Sequence, residues 1–155
     1  MPENNMSIDL RLAVAEDIGA LTHCVCQAFI DYIPRIGRQP GPMLDDYRAL
    51  VERSVVTVAC RKAKIIGVLV LLETEEGFCI ETIAVLPDEQ GLGLGARLMS
   101  FAEITAKQLG YTSIYLSTHR LMVESQAMYA HLGYLEFDQR IVNGFDRVFV
   151  RKQLQ

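Results

Sequence analysis

A chain of 155 residues, half of them hydrophobic and 22% charged with a net charge of −4, is the size of one globular domain and is too apolar for disorder. It lacks the basic surplus of a nucleic-acid binder, and its longest apolar stretch, Ile65 to Leu72, is eight residues against the roughly 20 of a membrane span. The cysteines Cys24, Cys26, Cys60 and Cys79 fit neither a CxxC pair nor a zinc spacing, and no leader-like segment opens the sequence, so a cytoplasmic protein with reduced thiols and no metal is expected.

Met1 to Met6 reads as a polar, disordered start to a single domain over residues 7–152, with 153–155 as a tail. Ser7 to Arg11 alternates as a first strand, and Ala15-Glu16-Asp17 opens a helix carrying Ile18, Leu21, Val25, Ala28 and Phe29 at helical spacing. Pro34 to Met43 holds three prolines and two glycines and is expected to be a loop. Leu44 to Arg53 resumes helical spacing. Val55 to Cys60, Ile65 to Leu72 and Phe78 to Leu86 then read as strands joined by short polar turns. Gly93 to Leu109 is the best amphipathic helix, with Leu94, Leu98, Phe101, Ala102, Thr105 and Leu109 on one face and Gly110 as its C-cap. Ser113 to Ser117 is a strand and Val123 to Leu132 a short helix. Tyr134 to Ile141 and Phe145 to Arg151 are strands flanking the hairpin turn Asn143-Gly144. The expected class is mixed α/β (α+β), a mostly antiparallel sheet flanked by about four helices.

The segment Gln90-Gly91-Leu92-Gly93-Leu94-Gly95-Ala96 joins a strand to the strongest helix. Glycines there admit a ligand close to the backbone, and successive N–H groups running into a helix N-terminus suit phosphate oxygens. Residues 1–90 carry 14 acids and 8 bases while residues 91–155 carry 5 and 7, so the second half is the better place for an anion. A dinucleotide fingerprint would want an acid about 20 residues on, and Gly110 to Val123 holds neither Asp nor Glu. A P-loop would want Gly-Lys-Ser or Gly-Lys-Thr after the glycines, and neither is present there.

Gln90-x-x-Gly93-x-Gly95, preceded by Ala84-Val85-Leu86-Pro87, resembles the acetyl-CoA-binding motif of the GNAT superfamily of N-acetyltransferases. Tyr129-Ala130-His131-Leu132-Gly133-Tyr134 is similar to that superfamily's second signature, and the element order matches its fold over about residues 7–152. The resemblance implies acetyl-CoA as cosubstrate, no metal, and transfer to an amine of a small molecule or peptide. It assigns the cofactor to Ala84, Val85, Pro87, Gln90, Gly91, Leu92, Gly93, Leu94, Gly95 and Ala96, with Ser125 and Tyr129 nearby. Tyr129 is the candidate acid for the departing thiolate. Many members carry an Asn seven residues before this Tyr; Met122 stands there, so the contact is lost or supplied by Glu124, Ser125 or His119.

For the base, Glu81 shares a strand face with Ile83 and Val85 by alternation. His119 is its rival, and ordered water is a third possibility. The acceptor is expected along the proline-rich loop and its flanking residues, where Tyr32, Arg35, Asp46 and Tyr47, with Glu81 and His119, could take an amine bearing a carboxylate, Arg35 meeting the carboxylate. A non-catalytic acyl-CoA-binding module on the same fold is the alternative. The superfamily often dimerises, which makes Phe145 to Val150 a candidate interface.

Overall fold

The computed structural model describes residues 7–155, so Met1 to Met6 lie outside the described residues. In chain order the elements are β1 (Asp9–Leu12), α1 (Ile18–Phe29), α2 (Ile33–Ile36), α3 (Tyr47–Glu52), β2 (Val56–Arg61), β3 (Lys64–Thr74) and β4 (Gly77–Val85). After these come α4 (Leu94–Gln108), β5 (Ser113–His119), α5 (Val123–His131), β6 (Leu135–Val142) and β7 (Phe145–Gln153). The strands form one seven-stranded sheet in the order β1-β2-β3-β4-β5-β7-β6. Every neighbouring pair is antiparallel except β4 with β5. The class is therefore mixed α/β, as the element order implied. No helix among the described residues is long and apolar enough to cross a membrane.

Ile65 to Leu71 of β3 is buried without alternation, because both faces of the sheet's centre are covered. Gly67 lets α4 sit down on that strand: a methyl group there would stand 3.3 Å from Ala59, Leu94 and Leu98. The close approach fixes the start of α4, and with it the end of the glycine loop. α4 buries Leu94, Leu98, Met99, Ala102 and Ala106, whereas Leu109, expected on the same face, is 54% exposed at the C-cap.

Three expectations change. The proline-rich stretch is not wholly irregular: Pro34 sits in the first turn of α2, where its missing N–H is not needed, and Gly41–Leu44 forms a 3-10 turn. The helix expected from Leu44 starts only at Tyr47, because Asp46 caps it by accepting from the Ala49 N–H at 3.1 Å. The C-terminal residues are not a free tail, since β7 runs to Gln153 and the Leu154 N–H donates to the Thr112 carbonyl at 2.8 Å.

Candidate functional site

β4 and β5 pair only at Phe78, Cys79 and Ile80 against Ile114, Tyr115 and Leu116, and then diverge. From Glu81 onward the β5-facing edge of β4 has no strand partner among the described residues. The divergence begins at a one-residue bulge: Val70 pairs with Thr82 and Leu71 with Ile80, leaving Glu81 unpaired with β3. Burial still alternates from the bulge onward, with Glu81 exposed, Ile83 and Val85 half-buried, and Thr82 and Ala84 buried between them, as expected for Glu81.

Two cavities fill the wedge. A groove of about 640 Å³ runs from the glycine loop past Val85, Ala84 and Ile83 to Tyr129, with Tyr32, Arg35 and Glu124 on the opposite wall. A smaller chamber of about 70 Å³ lies deeper, between Glu81, Thr82, Ser117, His119 and Arg147, roofed by Pro40, Gly41 and Pro42. Groove and chamber share one wall, formed by Phe29, Ile83, Met122, Ser125 and Tyr129.

Gly91 (φ 79°) and Gly93 (φ 90°) are left-handed, and Gly93 is the N-cap of α4. Gly95 is already helical and has open space where a side chain would go. The loop is tied back by the Gln90 amide, which donates to the Val85 carbonyl at 3.1 Å, and by the ion pair of Glu89 with Arg61 at 2.9 Å. The guanidinium in the groove wall, Arg35, is held by Glu124 through two bonds of 2.5 and 3.0 Å. Attraction for an anion therefore comes from the loop's N–H groups and the N-terminus of α4. This geometry fits a pyrophosphate-bearing ligand with a long arm.

Residues 25–134 match the Acetyltransferase (GNAT) family, which is most of the chain. The chain belongs to the GNAT acetyltransferase family. It is 32% identical over 73 residues to the Uncharacterized N-acetyltransferase YjgM of Escherichia coli (strain K12), an alignment spanning 46% of this GNAT chain and 44% of that relative. The PaiA N-acetyltransferase of Thermoplasma acidophilum, solved in complex with coenzyme A, superposes with a TM-score of 0.77 at 18% identity, covering 96% of this chain and 99% of that one. The IAA acetyltransferase of Bacillus cereus superposes with a TM-score of 0.70 at 25% identity, covering 96% and 100%. The seven-stranded architecture with its β4–β5 wedge is thus the GNAT fold.

Within this GNAT site, Ala84, Val85, Pro87, Gln90, Gly91, Gly93, Gly95, Ala96, Ser125 and Tyr129 all line the groove. Leu92 and Leu94 do not: Leu92 points to solvent and Leu94 into the core, so only their backbones are near the loop's inner face. Tyr129 is 6% exposed, its ring packs edge-on against Tyr134 at 6.2 Å, and burial raises its hydroxyl above the usual phenol range. Among the described residues none hydrogen-bonds that hydroxyl.

Glu81 and His119 both line the chamber. Burial lowers the His119 pKa, helped by the charge of Arg147, and its Nδ1 accepts the Leu121 N–H at 3.1 Å. The acceptor residues expected from the loop lie elsewhere. Tyr32 and Arg35 line the groove and not the chamber; Asp46 is a helix cap; Tyr47 is buried, its hydroxyl donating to the Pro42 carbonyl at 2.5 Å. Arg35 is already paired with Glu124, so a carboxylate would have to compete with that bidentate contact.

Arg147 and Thr82 are the chamber residues that pattern reading missed. Thr82 is 3% exposed, and its side chain sits beside the Tyr47 hydroxyl. The Arg147 guanidinium touches Ser117 Oγ at 3.4 Å and lies against Phe145, 5.5 Å from the ring centroid. Asp45 completes the charge set beside them. Burial, and then the charge of Glu81, push its carboxyl up to about 6 from an ordinary 3.8, against a smaller opposing effect of Arg147.

A raised carboxyl gives stability that is complete below the ordinary value and is lost as pH rises through about 6. Asp45→Asn is therefore expected to melt above the parent protein at pH 7, with the gap closing by about pH 4. Melting curves of both proteins across that range would test this, and two parallel curves would show that Asp45 is not destabilised when ionised.

Proposed function

We propose that this GNAT chain transfers an acetyl group from acetyl-CoA to a primary amine of a small molecule or peptide, by direct attack in a ternary complex. The observation that carries this reading is the wall shared by groove and chamber. A thioester lying in the groove would present its carbonyl at Tyr129 and Ile83 to an amine held in the chamber. The glycine-loop amides would hold the pyrophosphate, and the free edge of β4 would receive the amides of the pantetheine arm.

The amine nitrogen forms the new C–N bond, the carbonyl electrons move to oxygen, and their return expels sulfur as thiolate. The extra proton on nitrogen passes to Glu81 or to water reached through the chamber; the His119 Nδ1 lone pair is taken by the Leu121 N–H, so its neutral ring carries the proton on Nε2 and would accept only by giving up that contact. Burial raises the Tyr129 hydroxyl above the usual phenol range, so its phenolate would be a stronger base than the departing alkyl thiolate. Tyr129 therefore serves as a hydrogen-bond donor to the developing thiolate, releasing its proton only as another replaces it.

Acetyl-CoA is expected to raise the melting temperature while NAD does not, and a panel of amines with acetyl-CoA is expected to release free thiol. Stabilisation by NAD alone would remove the reading. Stabilisation by acetyl-CoA without thiol release from any amine would make the chain an acyl-CoA-binding module.

A further inference from the structure

We propose that the acceptor is a small amine that also carries a carboxylate, its ammonium directed toward Glu81 and its carboxylate toward Arg147. This rests on the N-acetyltransferase reading and narrows its substrate class. The chamber is polarised. On one side stands the outward-turned Glu81 of the β4 bulge, with the Asp45 charge behind it. On the other stands Arg147 on β7, next to Phe145, whose ring also carries Arg38 at 3.6 Å.

Arg147 is mostly withdrawn from water, yet among the described residues it makes no ion pair within 4 Å and only the long bond to Ser117. Its electrostatic partners are Glu81, Asp45 and the Cys79 thiol, all beyond contact. A desolvated guanidinium without a carboxylate in contact is a strong site for one, since two parallel N–H donors match its oxygens. The small chamber and its Pro40-Gly41-Pro42 roof favour a free amino acid over the N-terminus of a long peptide, whose nearest carboxylate would be remote.

The roof also offers a gentle perturbation. A methyl group at Gly41 would stand 2.5 Å from Arg147 Nη2, so Gly41→Ala would shift the guanidinium without changing charge, and the atom displaced is the free end of a flexible side chain.

The test is thiol release from acetyl-CoA with the common α-amino acids, each paired with the amine that lacks its carboxylate, and with short peptides. At least one amino acid is expected to exceed its carboxylate-free partner about 10- to 100-fold in kcat/KM, the worth of charge-assisted hydrogen bonds. Arg147→Gln and Gly41→Ala are each expected to close most of that gap by raising KM for the acid, with little change for the plain amine. Equal or better turnover of the plain amines, preference for peptides, or a gap that survives Arg147→Gln would overturn the proposal and leave N-acetyl transfer standing. Binding of acetyl-CoA with no turnover of any amine would overturn both.

Discussion

Tyr129→Phe is expected to lower kcat at least about tenfold while leaving coenzyme A affinity nearly unchanged, the pattern of a group that acts only as the thiolate departs. The change removes one oxygen. The ring keeps its edge-on contact with Tyr134 and its place in the core cluster, and the hydroxyl has no partner to lose among the described residues. Melting temperature should therefore hold steady or rise slightly, which separates this variant from one that merely unfolds. A second readout isolates the step: with an acetyl thioester of a more acidic thiol, the leaving sulfur needs less help and the deficit should shrink. An unchanged kcat would exclude Tyr129 from the chemistry, and an equal deficit with both thioesters would make it a positioning residue.

The groove was legible in the sequence because its chemistry is backbone chemistry. Gly91 and Gly93 are glycines because the turn needs positive φ, and their place between β4 and α4 is visible as a strand pattern followed by a helical one. The chamber was not legible, because its walls come from residues far apart in sequence that only the sheet order brings together. Arg147 faces Glu81 because β7 inserts beside β5, and β5 diverges from β4 just where Glu81 bulges. Alternation alone cannot signal the bulge at Glu81, although it did put Glu81 on the less buried side of β4 with Ile83 and Val85. Arg35 stood out as a basic residue beside prolines, yet nothing in its neighbourhood foretold Glu124, 89 residues away. The same insertion of β7 bears on the interface expected at Phe145 to Val150. Both edges of that strand are occupied, by β5 and β6, so the free edge on that side of the sheet belongs to β6.

Gly95→Ala is expected to weaken coenzyme A binding at least about tenfold while raising the melting temperature, and the opposite signs are what make it diagnostic. Gly91 and Gly93 are poor probes, since their left-handed backbones would strain under any side chain and confuse a lost fold with a lost contact. Gly95 is different: its backbone is helical, nothing lies within 4 Å of the added methyl, and it borders the groove in the first turn of α4. Alanine in place of glycine within a helix gains up to about 1 kcal/mol, less near the end, so the protein alone has no reason to object. Only a ligand resting on that Cα would. A phosphate held by the loop's N–H groups must come within van der Waals reach of the helix start, and the methyl would occupy the space it needs. Titration calorimetry with coenzyme A, beside thermal melts without ligand, would read both effects. Tight binding retained in a stabilised Gly95→Ala protein would mean that the pyrophosphate does not rest on the first turn of α4, and the cofactor's course through the groove would have to be redrawn.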